Sequence, residues 1–288
     1  MTDLGPAVLH LSAPAKINLY LHVTGRRADG YHLLDSLIAF TGLADSVELG
    51  PGRDFEITID GPFADAAGPP DDNLALRAAR ALARAAGVDA GARIRLTKQI
   101  PAAAGLGGGS ADAAAVLAGF MRLWDVPDGV VDLAAIGLRL GADVPACLAG
   151  RPVFVGGIGE EIADAPRLPA AGVLLVNPGV AVSTSSVFAG RRGGFSAVAR
   201  FASAPSSTAD LAAILDARSN DLTEASCRLV PVLEDVLSAI RAAPGCRLAR
   251  MSGSGATCFG LFDDEAAALA ALPAVRRGDW WAAATALA

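Results

Sequence analysis

The chain has 288 residues, 52% of them hydrophobic, with 24 basic against 30 acidic side chains and a net charge of −6. This length suits one large or two medium domains, and the composition is globular rather than disordered. An acidic chain without a basic run lacks the electrostatic footprint of a nucleic-acid binder, and no uninterrupted apolar run reaches the ~18 residues of a membrane-spanning helix. The opening MTDLGPAVLH has no positive segment ahead of an apolar one, so no secretory signal is expected. Cys147, Cys227, Cys246 and Cys258 stand far apart with no C-x-x-C pair, which reads as four reduced thiols in a cytoplasmic protein. His10, His22 and His32 match no familiar metal spacing.

Residues 8–24 alternate: Ile17, Leu19, Leu21 and Val23 share one face and Lys16, Asn18, Tyr20 and His22 the other, the period of a half-buried strand. GRRADG (25–30) supplies an Asp-Gly turn, and YHLLDSLIAF continues as strand or mixed structure. VEL (47–49) and FEITID (55–60) read as two further strands around PGRD, followed by a turn-rich loop. The pattern of 74–87 predicts a helix capped by Asn73 and stopped by Gly87. ARIRLTKQI is a strand leading into PAAAGLGGGS (101–110). Helices are predicted for Ser110 to Trp124 and for VVDLAAIGLRLG, closed by Gly141, before the strand VFVGG. Strands first and helices afterwards, to about residue 166, suggest α+β rather than alternating βαβ.

VLLVNPGVAV begins a second unit. Residues 190–207, rich in Gly, Ser, Ala and Arg, read as a mobile loop. Helices follow at 208–218, about 221–229 and 231–243. LARMSGSGATCFGLF is strand, glycine loop, strand; 263–272 is a helix with an acidic first turn, and the end is strand.

The loop at 101–109 carries the chemistry. Glycines permit positive φ and close backbone approach, successive N–H groups make an anion nest, and a helix N-terminus adds unpaired donors and a positive dipole end. Together these favour a phosphate chain, with Ser110 able to donate to a phosphate oxygen or hold a magnesium ion. No G-K-[ST] ends the loop, so it is not a P-loop, and it is a poor G-x-G-x-x-G. The alternative is a tight turn with glycines for helix packing. Asp112 places a negative charge in the first helical turn, which would compete with a phosphate unless turned away.

Three segments in order, APAKINLYLHVTGRRADGYH (13–32), PAAAGLGGGSADAA (101–114) and RMSGSGATCFGLF (250–262), together with GADVP (141–145) and NDL (220–222), resemble the GHMP kinase superfamily across nearly the whole chain. The resemblance implies a two-domain α+β GHMP kinase fold: an ATP-binding N-terminal domain (1–166) like the second domain of ribosomal protein S5, and a ferredoxin-like C-terminal domain (167–288). The first segment narrows it to members that use ATP and Mg2+ to phosphorylate the 2-hydroxyl of a cytidyl-diphosphate-linked methylerythritol in non-mevalonate isoprenoid synthesis. The implied state is a cytoplasmic monomer or weak homodimer with no nucleic-acid or membrane partner.

By resemblance, Asp143 is the catalytic carboxylate and Lys16 its partner. Pro101, Ala104, Gly105, Leu106, Gly107, Gly108, Gly109 and Ser110 bind ATP, with Asn73 near the adenosine. Magnesium comes with ATP, with Ser110 as its candidate protein ligand and no dedicated metal site. Asn18, Tyr31, His32, Thr184 and Phe188 bind the acceptor, Tyr31 and His32 as the cytosine-recognising pair and Phe188 as the second aromatic wall. The alternatives are a helix cap for Asp143 and Asn73, a solvated strand face for Lys16, and core packing for Tyr31 and His32. Ala103 stands where relatives commonly carry glycine, so that position should not need positive φ. Two rival readings are a GHMP kinase for another small alcohol such as mevalonate or homoserine, and a catalytically silent nucleotide-binding regulator.

Overall fold

The computed structural model describes residues 8–288; the first seven residues of the segment read for a secretory signal lie outside it. Two compact units interleave along the chain. One comprises residues 8–15, Leu43–Ala102 and Gly107–Gly150, the other Lys16–Gly42, Ala103–Leu106 and Arg151–Ala288. Strands β1 (Leu9–Arg26) and β2 (His32–Gly52) each contribute residues to both units.

In the first unit, β2 pairs antiparallel with β4 (Gly91–Thr97), which pairs in parallel with β3 (Phe55–Asp60). Helices α1 (Leu74–Ala86), α2 (Gly108–Leu123), α3 (Leu133–Leu140) and α4 (Val144–Ala149) complete it. Leu76, Ala79, Leu82, Ala113, Leu117 and Phe120 bury against Leu49, Ile94 and Leu96. Alanine on facing helix surfaces costs no side-chain entropy and lets α1 and α2 approach closely. Both predicted ends of α1 are present: Asn73 Oδ1 accepts from Ala75 N (2.9 Å), and Gly87 is left-handed at φ 64°. VEL is not a strand of its own; it is the far end of β2, a single 21-residue strand.

In the second unit, β2 pairs through Leu34–Ile38 with β5 (Val153–Gly157), which pairs with β6 (Glu161–Asp164). A separate antiparallel sheet has the order β10 (Trp281–Ala286), β7 (Gly172–Asn177), β9 (Cys258–Phe262), β8 (Leu248–Met251). Numbered within this sheet the order is 4-1-3-2, the ferredoxin-like arrangement. Helices α5 (Thr184–Gly190), α6 (Thr208–Asp216), α7 (Thr223–Leu229), α8 (Val232–Ala242) and α9 (Glu265–Val275) lie between these strands in sequence. Leu174, Val176, Leu233, Val236, Ile240 and Phe262 form its core. The four cysteines are free thiols.

Two expectations need correction. The second-unit part of β1 is buried on both faces: Lys16, Asn18, Tyr20 and His22 are as enclosed as Ile17, Leu19, Leu21 and Val23. Alternation showed two chemically different faces, but the polar one meets protein rather than water. The stretch 190–207, read as a mobile loop, is tied down. Ser196 N donates to Val23 O (2.9 Å), His22 Nδ1 bonds Ala197 O (2.9 Å), and Asp35 accepts from Ala199 N (2.7 Å) and Arg200 Nε (3.0 Å). Small polar residues marked irregular backbone correctly, while the anchors lay in distant strands.

Candidate active site

The glycine loop leaves β4 and enters α2 through a left-handed Gly107 (φ 65°) that offers no side-chain cap. The helix starts at Gly108, so Gly108 and Gly109 are helical and Ser110 is its third residue rather than its first. Its first helical hydrogen bond is Ala111 N to Gly107 O (2.9 Å). The amides of Gly108, Gly109 and Ser110 therefore have no partner within the helix, and they stand at its positive end. Gly141 lies against this terminus: a Cβ there would sit 3.7 Å from Ser110 Oγ. Asp143, two residues on, holds the N-cap position of α4 without any side-chain cap bond, so the cap alternative for its carboxylate is not realised. Pro101, half-buried, begins the loop in this same unit.

Asp112 does not compete with an anion at this helix end. Lys98 Nζ donates to its Oδ2 (2.6 Å) and also to Asp45 Oδ2, inside the first unit. Burial pushes the Asp112 carboxyl up to about 7 against the pull of Lys98. The two carboxylates outweigh burial at Lys98 and raise its pKa, keeping it cationic.

Loop residues 103–106 belong to the second unit. Gly105 is left-handed (φ 77°), and a Cβ on it would come within 2.7 Å of the carbonyl oxygens of both Ser252 and Gly255. Only glycine fits this double constraint. Ala103 also has positive φ (51°), contrary to expectation. Its backbone takes the turn a glycine would, at a cost of about 1–2 kcal/mol.

The MSGSG segment packs here as a second glycine turn. Ser252 Oγ donates to Gly105 O (2.9 Å) and accepts from Asn18 N (3.2 Å), and Thr257 N donates to Ala104 O (3.0 Å). Leu106 O accepts from Lys16 N (2.9 Å). Asn220, from the NDL motif, donates to Met251 O and Gly253 O (2.8 Å each) and so pins the second turn. Lys16 and Asn18 point the same way, as the alternation predicted. Lys16 Nζ donates to Asn18 Oδ1 (2.7 Å), and Asn18 Nδ2 to Ser36 Oγ (2.9 Å). Lys16 is 4% exposed, which excludes a solvated strand face. Thr184 Oγ1 shares a hydrogen bond with Ser254 Oγ (2.8 Å), bringing α5 to the same turn.

Phe188 and His32 are brought together, their rings stacked at 5.1 Å with 24° between planes. Burial, then the nearby Arg26 and Arg191, hold the His32 imidazole below its ordinary pKa, favouring the neutral ring. Tyr31 is 62% exposed, so core packing does not describe it. Its backbone is set by the turn, through Tyr31 N to Asp29 Oδ1 (3.2 Å) and Arg27 N to Tyr31 O (2.7 Å).

Sequence reasoning did not single out Asp45, Lys98, Asp35 or the specific role of Ser252. A lysine directly ahead of the loop, with an aspartate in its helix, was the visible signal for the Lys98 cluster. Among the described residues no group of three or more His, Cys, Asp or Glu side chains could hold a metal ion, and no helix is long and apolar enough to cross a membrane.

Comparison with known proteins agrees with these motifs. The family of GHMP kinases N terminal domains matches residues 73–151, and that of GHMP kinases C terminal domains matches residues 202–278. The 4-diphosphocytidyl-2-C-methyl-D-erythritol kinase of Paramagnetospirillum magneticum is 50% identical over 275 residues, 95% of this chain and 96% of the relative. A crystal structure of 4-(cytidine 5'-diphospho)-2C-methyl-D-erythritol kinase is 38% identical with a TM-score of 0.76, covering 97% of this chain and 99% of its own. Homoserine kinase from Cytophaga hutchinsonii, 20% identical with a TM-score of 0.75 over 98% of this chain and 94% of its own, shares the fold. The chain belongs to the GHMP kinases and, within them, to the 4-diphosphocytidyl-2-C-methyl-D-erythritol kinases.

Proposed function

We infer that the protein transfers the γ-phosphoryl group of ATP to the 2-hydroxyl of 4-diphosphocytidyl-2-C-methyl-D-erythritol, supplying the non-mevalonate route to isoprenoid precursors in the cytoplasm. The observation that carries the chemistry is the proximity of Ser110, at the uncapped start of α2, to Gly141, two residues before Asp143. This proximity supports reading the start of α2 as the phosphate site, with Asp143 close to the group being transferred. The glycine cradle fits a phosphate chain: its left-handed turns and the helix-end amides of Gly108, Gly109 and Ser110 present donors without side chains in the way. Pro101, Ala104, Gly105, Leu106, Gly107, Gly108, Gly109 and Ser110 hold the triphosphate, and Asn73 approaches the adenosine through its Nδ2, since its Oδ1 caps α1.

ATP supplies the phosphoryl group; this chain aligns the acceptor and offsets charge. Asp143 orients the 2-hydroxyl and accepts its proton as the new O–P bond forms and the bond to the ADP oxygen breaks. Lys16, held by Asn18, offsets negative charge on the transferring group, and Asn18 orients the acceptor. Ser110 Oγ would be the protein ligand of a magnesium ion carried by the nucleotide, which would screen the phosphate charge. His32, neutral and backed by Phe188, reads the cytosine edge; exposed Tyr31 folds onto the ring; Thr184 meets the acceptor phosphates. Aromatic groups suited to a base favour this acceptor over mevalonate or homoserine, which have none. Replacing Asp143 with alanine should abolish turnover while nucleotide binding, measured by calorimetry with a nonhydrolysable ATP analogue, stays within about threefold. Full residual turnover would refute the role.

A further inference from the structure

One carboxylate touches both legs of the glycine loop. On the entering leg, Asp45 Oδ1 accepts from two successive amides, Gln99 N (2.5 Å) and Ile100 N (2.9 Å), just before Pro101. On the leaving leg, Gly108 packs against the same group: a Cβ there would lie 3.4 Å from Asp45 Oδ2 and 3.2 Å from Ile100 Cγ2. Lys98 Nζ then bridges Asp45 Oδ2 to Asp112 Oδ2, inside the second turn of α2. All three side chains are buried, and Asp112 Oδ1 has no partner. Two carboxylates and one ammonium without solvent are a poor source of stability, because desolvation offsets the attraction. Two backbone amides on one oxygen and a helix on the other make a good ruler.

We propose that Asp45, acting through Lys98 and Asp112, is a positioning residue for nucleotide binding: it sets the separation of residues 100 and 108 and thereby aims the amides at the start of α2. The inference rests on the reading of this loop as the site for the nucleotide phosphates. Asp45→Asn keeps an oxygen for the Gln99 and Ile100 amides but turns an NH2 donor toward the Lys98 ammonium. Lys98→Met removes the cation that bridges the Asp45 and Asp112 carboxyl groups. Either change lets the legs part without altering any residue placed against the acceptor.

The test measures dissociation constants for a nonhydrolysable ATP analogue, KM for both substrates and kcat in Asp45→Asn, Lys98→Met and Lys98→Arg. Nucleotide affinity should fall at least tenfold in the first two, with KM for the cytidyl acceptor within twofold of wild type, and Lys98→Arg should recover part of the loss. A merely structural cluster would lower thermal stability without separating the two substrates. Folded variants with unchanged nucleotide affinity, or with equal losses for both substrates, would overturn the proposal. If the single variants do not fold, the charge-free Asp45→Asn/Lys98→Met/Asp112→Asn chain, a kind of replacement buried ion clusters tolerate, takes their place under the same criteria. Wild-type protein that fails to bind the analogue would instead refute the reading of the loop itself.

Discussion

Replacing Gly105 with alanine probes the loop at the point where two constraints coincide. The residue sits at φ 77°, where an L side chain costs about 1–2 kcal/mol. The new methyl would also lie 2.7 Å from two backbone carbonyl oxygens, of Ser252 and Gly255. Neither can rotate away as a side chain would, so overpacking adds about 1–3 kcal/mol. The total is about 2–5 kcal/mol. At about 1.4 kcal/mol per tenfold, strain relieved by displacing the loop weakens ATP binding by roughly 30- to 3,000-fold. Strain retained in the fold instead lowers Tm by at least about 4 °C, at roughly 2 °C per kcal/mol for a chain of this size. Gly150→Ala is the control: it has φ 62° but no atom within 4 Å of the new methyl, so only the first cost applies. Thermal melts and ATP titrations of both variants decide the matter. A Gly105→Ala protein with the Tm of Gly150→Ala and wild-type ATP affinity would show that the two glycine turns do not pack as described.

Ala103→Gly relieves left-handed strain in the same loop, and after the entropy cost of a glycine it should stabilise the protein by about 0.5–1 kcal/mol in denaturant unfolding; destabilisation would argue against the positive φ. Tyr31→Ala should raise KM for the cytidyl acceptor and leave KM for ATP nearly unchanged, whereas equal losses would mark Tyr31 as structural. Burial and the nearby Arg26 and Arg191 hold the His32 imidazole below its ordinary value of about 6.5, so the neutral ring is present from neutral pH upward. KM for the acceptor should stay flat from there to mildly alkaline pH and rise only as acid protonates the imidazole. The linked stability is fully present above 6.5 and is lost as pH falls through the folded value. A KM that rises on the alkaline side would contradict the neutral-base role.

Much of this was legible in the sequence, for identifiable reasons. Local signals were strong where one residue type does one job: Asn73 and Gly87 bounded α1, and glycines marked both turns. The alternation of β1 correctly put Lys16 and Asn18 on one side. What periodicity could not show was that the polar side is buried, because burial depends on what packs over a strand. The start of α2 was misplaced because glycine propensity argues against the helix that Gly108 and Gly109 nevertheless enter. The anchoring of residues 190–207 and the Asp45 end of the Lys98 cluster depend on partners far apart in sequence, 165 residues for Arg200–Asp35 and 53 for Lys98–Asp45. No local pattern reports such pairings. Tyr31 and His32 were named by motif, whereas the stacking of His32 on Phe188, 156 residues away in sequence, follows only from the fold.

The most direct measurement is coupled ADP release by the purified protein offered, in parallel, 4-diphosphocytidyl-2-C-methyl-D-erythritol, mevalonate and homoserine. ATP-dependent turnover is expected with the cytidyl compound, inhibited by free cytidine nucleotides, and none above background with the other two. Turnover of mevalonate or homoserine in place of the cytidyl compound would contradict this reading.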